Sequence, residues 1–94
     1  MKAREQAARE ATARGLAQTV TVEVVLDSDD PGRLGELLAA LDARSEFLGP
    51  PMGAEVGRVI GVTVMVKART KETAQQIATV TILDEMQKLG LIGD

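Results

Sequence analysis

The stretch TVTVEVVLDSDDPGRLGELLAAL, residues 19–41, decides the fold of this chain. Its first eight residues alternate, so that every second one from Val20 to Leu26 is apolar and lies on one side of an extended strand. After an acidic turn, leucines recur at the spacing of a single helix face. These are Leu34, Leu37, Leu38 and Leu41. Because burying a leucine is worth roughly 1.5–3 kcal/mol, we expect this stripe to pack on the valines of the strand. The stretch therefore predicts a strand followed by a helix that runs to about Arg44.

A second long strand is predicted further along the chain. The sequence VIGVTVMVKA, residues 59–68, alternates in the same way as the first strand, and Gly61 marks a place for a bulge. The segment before it is rich in proline and glycine, which is typical of a loop. Residues 46–48 are a candidate for a short additional strand at the start of that loop.

The last apolar segment, residues 70–90, favours a long helix that begins at Thr70 as a cap and ends at Gly90. Its apolar residues occupy more than one side, so we expect a second buried side, most simply a contact with another subunit. A strand over residues 79–82 stays open as an alternative, because these residues alternate and are all β-branched. The predicted interface residues are Ile77, Val80 and Leu83 on this helix, together with Val25 and Met65 on the two strands.

These elements predict an α+β protein with one domain, since a chain of 94 residues supports a single core. Residues 1–15 form a helical or frayed arm, and residues 16–94 form the domain. The predicted order is (α)-β-α-(β)-β-α, with the helices on one face of a small antiparallel or mixed sheet. A ferredoxin-like layout or a related two-layer sandwich fits this order. Its remaining strand would come from residues 46–48, from Leu91 and Ile92, or from another subunit.

The composition limits the chemistry. The chain contains no Cys and no His, and its only aromatic residue is Phe47. It therefore has no thiol nucleophile, no imidazole base and no thiolate metal site, and we expect neither a cofactor nor a metal. A small core without rings, disulfides or metals is usually helped by oligomerisation, so we expect a homo-oligomer, most simply a dimer.

The charge and hydropathy pattern argues against two classes of partner, nucleic acid and membrane. A net charge of −3 argues against nucleic acid, whose binding depends on clustered Lys and Arg. The N-terminal residues lack the apolar segment of a secretory signal, and no run of 18 apolar residues is present to span a membrane. We therefore expect a cytoplasmic protein whose partners are a second copy of itself or another protein, with no membrane contact.

The turn between the first strand and the first long helix carries a recognisable string. Asp29, Pro31, Gly32, Leu34 and Leu37 spell D-x-P-G-x-L-x-x-L directly after the strand. Over residues 19–44 the chain resembles small ACT-type regulatory domains, which carry such a string at the start of their first helix. The resemblance implies a ferredoxin-like fold that dimerises and binds an amino acid or another small ligand between subunits.

On this resemblance, the ligand would contact the residues at the helix start, namely Asp29, Asp30, Gly32 and Arg33. A glycine lets a ligand approach the backbone, and the N–H groups at a helix N-terminus suit a carboxylate. Helix capping by Ser28, Asp29 or Asp30 explains the same residues without any ligand. Both interpretations remain open from the sequence.

Three functions follow from these patterns. The first is a non-enzymatic, self-associating interaction or regulatory domain that acts through protein contacts. The second is an ACT-like sensor of a small molecule. The third is an enzyme that uses carboxylates with Lys67 or Arg69. Adjacent helix residues do not face each other, so Asp84 and Glu85 predict a solvated helix face and no acid–base pair. We expect no catalytic residue and no enzyme activity.

Overall fold

The computed structural model describes residues 2–26 and 33–92, which form three helices and three strands. In chain order these are helix α1 (Lys2–Ala13), strand β1 (Ala17–Val25), helix α2 (Leu34–Asp42), strand β2 (Met52–Val56), strand β3 (Val59–Lys67) and helix α3 (Lys71–Lys88). The α+β class is confirmed. The alternative strand over residues 79–82 is wrong, because these residues lie within α3.

The three strands form one antiparallel sheet in the order β1-β3-β2. β1 pairs with β3 along its whole length, from Ala17 opposite Lys67 to Val25 opposite Val59. Alternation along both strands sends one set of side chains toward α2 and α3 and the other set to the opposite side of the sheet. Gly61 pairs in register with Glu23, so the register runs through this position without the bulge suggested by the glycine.

β2 differs from the short strand expected at residues 46–48. There, Phe47 forms only an isolated bridge to Val66, and β2 lies further along, inside the segment predicted to be a loop. The strand is joined to β3 by a two-residue turn, whose first residue Gly57 has a φ of 61°. A type II′ hairpin turn needs this left-handed conformation at that place, and glycine adopts it without strain.

The hydrophobic core lies between one side of the sheet and helices α2 and α3. The predicted stripes supply it, with Leu37 and Leu41 from α2 and Ile82 and Met86 from α3 fully buried. The sheet contributes Val20, Val22, Ile60, Val62, Val64 and Val66. The sheet and these two helices therefore pack on either side of one core.

α2 packs closely over the edge strand β2 at a glycine. A Cβ atom placed on Gly53 would lie 3.1 Å from Cδ1 of Leu34 and 3.2 Å from Cδ2 of Leu38. These distances are shorter than most carbon–carbon contacts in proteins, which are near 3.5–4.0 Å. The absence of a side chain at Gly53 thus allows the leucine stripe of α2 to extend over β2.

The ends of α3 follow the sequence prediction. Thr70 caps the first turn, since its Oγ1 accepts a hydrogen bond from the backbone N–H of Thr73 at 3.2 Å. At the other end Gly90 has a φ of 73°, and the N–H of Leu91 donates to the carbonyl of Met86. This is the Schellman arrangement, which satisfies carbonyls left over at the end of a helix. None of the described helices is long and apolar enough to cross a bilayer.

Candidate functional site

The side of the sheet away from α2 and α3 exposes a row of valines. Val25, Val59 and Val56 lie opposite one another on three neighbouring strands, and their exposed fractions are 66%, 36% and 78%. We call this side of the sheet the open face, formed by Thr21, Glu23, Val25, Met52, Ala54, Val56, Val59, Gly61 and Thr63. Single exposed apolar residues are ordinary, whereas adjoining ones mark a contact surface.

Two threonines hold the centre of the open face. Thr21 of β1 and Thr63 of β3 are directly opposite, and their hydroxyl oxygens are hydrogen-bonded at 2.8 Å. Met52 of β2 lies on the other side of Thr63 and is largely exposed. The open face thus combines an apolar end with a polar centre.

The five residues predicted as an oligomer interface lie in different places. Val25 belongs to the open face, whereas Ile77 and Val80 line a shallow depression on the outward side of α3 together with Gln76, Thr81 and Glu46. Leu83 is partly buried and packs against the core. Met65 lies on the same side of the sheet as Val25, where it is partly buried and lines a cavity beside α1, whereas Ile77 and Val80 lie on α3. These residues therefore do not form one continuous surface.

The cavity beside α1 has a volume of about 550 Å³. Its charged lining comes from Glu5 and Arg9 of α1 and from Asp42 at the end of α2. The rest of the lining is apolar or backbone, from Ala8, Leu48, Gly49, Pro50 and Met65. This volume lies within the range of small-molecule sites. Sequence reasoning did not find it, because its residues come from four separate segments with no shared motif.

A cluster of charges joins the loop after α2 to α3. The Arg44 guanidinium donates to Glu46 at 2.8 and 3.2 Å, to Asp84 at 3.0 Å and to Glu85 at 2.8 Å. Lys88 lies 3.1 Å from Asp84 and 3.7 Å from Glu85. The expectation of a solvated face at Asp84 and Glu85 is therefore wrong for Glu85, which is only 8% exposed.

The electrostatics of this cluster favour its charged form. Hydrogen bonds to Glu46, Asp84 and Glu85 raise the pKa of Arg44 above its usual range. Hydrogen bonding from Arg44 lowers the pKa of Glu46, and hydrogen bonds from Arg44 and then Lys88 lower the pKa of Asp84. A carboxyl group that transfers protons near neutral pH needs a raised pKa. These carboxylates therefore act as anchors for Arg44.

The predicted ligand residues at the start of α2 are only partly within the described structure. Asp29, Asp30 and Gly32 lie outside the described residues. Arg33 donates from Nε to Glu36 at 2.5 Å and from Nη2 to the carbonyl oxygen of Leu89 at 2.7 Å. A cation at the C-terminal end of a helix is electrostatically favourable. Arg33 thus ties the beginning of α2 to the end of α3.

The remaining candidates for chemistry are dispersed. Within residues 2–26 and 33–92, no group of three or more Asp and Glu side chains is arranged to hold a metal ion. Lys67 and Arg69 are exposed at the end of β3, and neither forms an ion pair with another described residue. Comparison with protein-family models, with curated proteins and with solved structures found no match for this chain.

Proposed function

We propose that this chain is a non-enzymatic, self-associating interaction domain that forms a homodimer through its sheet. The observation that carries the proposal is the valine row of the open face. Val25 and Val56 are more than half exposed on either side of Val59. Burial of these side chains would lower the free energy of the protein in water. A second copy provides the same apolar row, and two-fold association is the commonest way for identical surfaces to be covered.

The architecture supports this proposal. The strand order β1-β3-β2, with α2 and α3 on one side, is compatible with three of the four strands of a ferredoxin-like layout. In that layout the fourth strand lies beside β1. Among the described strands β1 lies at an edge of the sheet, and a second subunit is one source of a strand beside it.

Two surfaces compete for the role of dimer contact, and they differ by a matched pair of valines. Val25 on the open face and Val80 on the outward side of α3 are 66% and 69% exposed. Sedimentation velocity on the wild-type chain at tens of micromolar should show a dimer. We expect Val25→Asp to raise the dimer dissociation constant, because it places a charge in the proposed contact. Val80→Asp should leave the constant unchanged, because it adds the same charge at a similar exposure but away from the open face.

The opposite outcomes have clear meanings. A wild-type chain that remains monomeric at these concentrations would refute the proposed self-association. A dimer weakened by Val80→Asp and not by Val25→Asp would move the contact to α3. Circular dichroism on each variant shows whether the fold is retained, which exposed substitutions normally allow.

A second candidate function is the sensing of a small molecule, and the cavity beside α1 favours it. Arg9 offers a cation to a carboxylate, Glu5 offers an anion to an ammonium group, and Met65 adds an apolar wall. A ligand at 100 times its dissociation constant stabilises a protein by about 2.7 kcal/mol, which a thermal-shift screen of amino acids detects. Loss of the shift in Arg9→Gln would locate the ligand in the cavity, whereas loss in Gly32→Ala would locate it at the start of α2.

A further inference from the structure

Helix α1 lies across one end of the sheet, beyond the open face. Met65 and Lys67 lie on the same side of β3 as Val59 and Thr63, because side chains alternate along a strand. Met65 lines the cavity together with residues of α1, and Lys67 lines a smaller space beside the last turns of that helix. α1 therefore covers the end of this side of the sheet that lies opposite the valine row.

The contacts that hold α1 to the rest of the protein are few. Among residues 5–13, whose side chains the structure describes, Ala11 is the only buried one, at 2% exposed. A methyl group buries less apolar surface than a larger aliphatic side chain, so this anchor contributes little. The side-chain hydrogen bonds of Gln6 and Thr12 stay within the helix. No hydrogen bond or ion pair of residues 5–13 reaches the sheet, α2 or α3.

The cavity separates α1 from the sheet beneath it. Its volume of about 550 Å³ is many times the roughly 30 Å³ that one water molecule occupies, and charged side chains line it, so water fills it. Ala8 lies across this space from an apolar floor formed by Leu48, Pro50 and Met65. Because this side of α1 is already hydrated, moving the helix away from the floor exposes little additional apolar surface.

A glycine turn joins α1 to β1. Gly15 has a φ of 69°, a left-handed conformation that glycine adopts without strain. The N–H of Leu16 donates to the carbonyl of Ala11 at 2.7 Å and closes the last turn of the helix. The carbonyl of Leu16 accepts from the N–H of Ala68 at 2.7 Å, which fixes the chain to the end of β3. The freedom of α1 relative to the sheet is therefore concentrated at the glycine turn.

We propose that α1 is a hinged lid that opens as a unit at the turn containing Gly15 and uncovers the cavity. A helix of 12 residues is marginally stable in water without tertiary contacts, and segments with few buried contacts open at a lower free energy than the whole protein. This inference goes beyond the proposed self-association and does not depend on it. For the small-molecule candidate function it identifies the part that moves, because a ligand in the cavity contacts both the floor and α1 and so holds the lid closed.

Residue-resolved amide hydrogen exchange by NMR tests the lid on the wild-type chain. The backbone N–H groups of residues 9–14 donate within the helix, and the released helix loses these bonds because of its length. We expect these groups to share one protection factor, roughly a hundredfold or more below that of β3. Equal protection in α1 and β3 would overturn the lid. Protection that rises along α1 to the value of β3 at residues 12–14 would show fraying of an attached helix and would also overturn it.

Two matched glycine substitutions separate lid opening from global unfolding. Gly90 follows α3 with a φ of 73°, and neither it nor Gly15 has another atom within 4 Å of its Cβ position. Alanine is therefore strained in the same way at both places. Gly15→Ala should speed exchange in α1 roughly fivefold, whereas Gly90→Ala should speed exchange in β3 and leave α1 unchanged, because α3 stays folded when the lid opens. Equal acceleration of α1 by the two variants would show that α1 is released only by global unfolding.

A larger side chain at Ala8 provides a tethered substitute for a ligand. Ala8→Leu fills part of the cavity against the floor, and alanine and leucine are both good helix formers. Ala13→Leu is the matched control, because Ala13 is exposed and lines neither the cavity nor the space beside Lys67. We expect exchange in α1 to be roughly tenfold slower in Ala8→Leu than in Ala13→Leu, since only the first buries its added atoms. Equal exchange in the two variants would show that α1 does not close over this floor. Circular dichroism checks that each variant keeps its fold.

Discussion

Replacement of Arg44 by methionine should destabilise the fold in a pH-dependent way. Methionine keeps the apolar reach of the side chain but removes the charge and all of the hydrogen bonds to Glu46, Asp84 and Glu85. The segment between α2 and β2 then loses its polar link to α3. Glu85 keeps only Lys88, at 3.7 Å, as a counter-charge among these residues.

The magnitude is set mainly by Glu85. Its side chain is 11% exposed, whereas the side chains of Glu46 and Asp84 are 34% and 45% exposed, so solvent screens those two pairs strongly. A hydrogen bond to a charged group contributes about 1.5–3 kcal/mol, and Arg44 itself is partly exposed. We therefore expect Arg44→Met to lower the free energy of unfolding by about 2 kcal/mol at pH 7. In a domain of this size that corresponds to a fall in Tm of roughly 10 °C.

The pH dependence follows from the direction of the pKa changes. Hydrogen bonds from Arg44 hold the pKa values of Glu46 and Asp84 below their ordinary values of 4.5 and 3.8. A carboxyl group whose pKa is lower in the folded chain stabilises the fold at pH values above its ordinary pKa. This contribution is lost as the pH falls through the lowered pKa. The difference between wild type and Arg44→Met should therefore be complete above about pH 4.5 and shrink toward pH 3.

Urea unfolding monitored by circular dichroism between pH 3 and pH 7 measures this difference directly. Arg58→Met is the matched control, because Arg58 is exposed in the β2–β3 turn and forms no ion pair with another described residue. We expect that control to change stability by less than about 0.5 kcal/mol at any pH. If Arg44→Met cost the same at pH 3 as at pH 7, the electrostatic account of the cluster would be wrong. A negligible cost at pH 7 would show that the cluster does not stabilise the fold.

Three further substitutions test the packing and the helix ends, each by urea unfolding. Gly53→Val should cost about 1–3 kcal/mol, because a Cβ atom there already lies 3.1 Å from Leu34; a neutral result would show that α2 does not pack closely over β2. Gly35→Ala should instead add about 0.5–1 kcal/mol, because Gly35 is exposed within α2 with nothing within 4 Å of its Cβ position; a loss would contradict that environment. Thr70→Ala should cost about 1 kcal/mol through loss of the α3 cap, and an unchanged stability would show that the Thr73 N–H is satisfied as well by water.

The candidate site was much less predictable from the sequence than the core. The sequence pointed to the turn at residues 27–33, of which the structure describes Arg33, bonded to Glu36 and to the carbonyl of Leu89. The Arg44 cluster joins residues about forty positions apart, and no local sequence pattern predicts such a contact. The interface prediction grouped apolar residues by exposure on isolated elements, and the packed elements carry Val25 and Val80 to different surfaces.

The sequence alone determined β1, β3 and the helices α2 and α3. Periodicity records which side of an element meets the core, and the turns and caps at Thr70 and Gly90 act through neighbouring backbone groups, so neither needs distant partners. Only the tertiary structure decided β2, because an exposed edge strand carries no alternation and is defined by hydrogen bonds to β3. It alone also decided that β3 lies between β1 and β2 among the described strands, since strand order depends on contacts between residues about forty positions apart, which local periodicity does not encode.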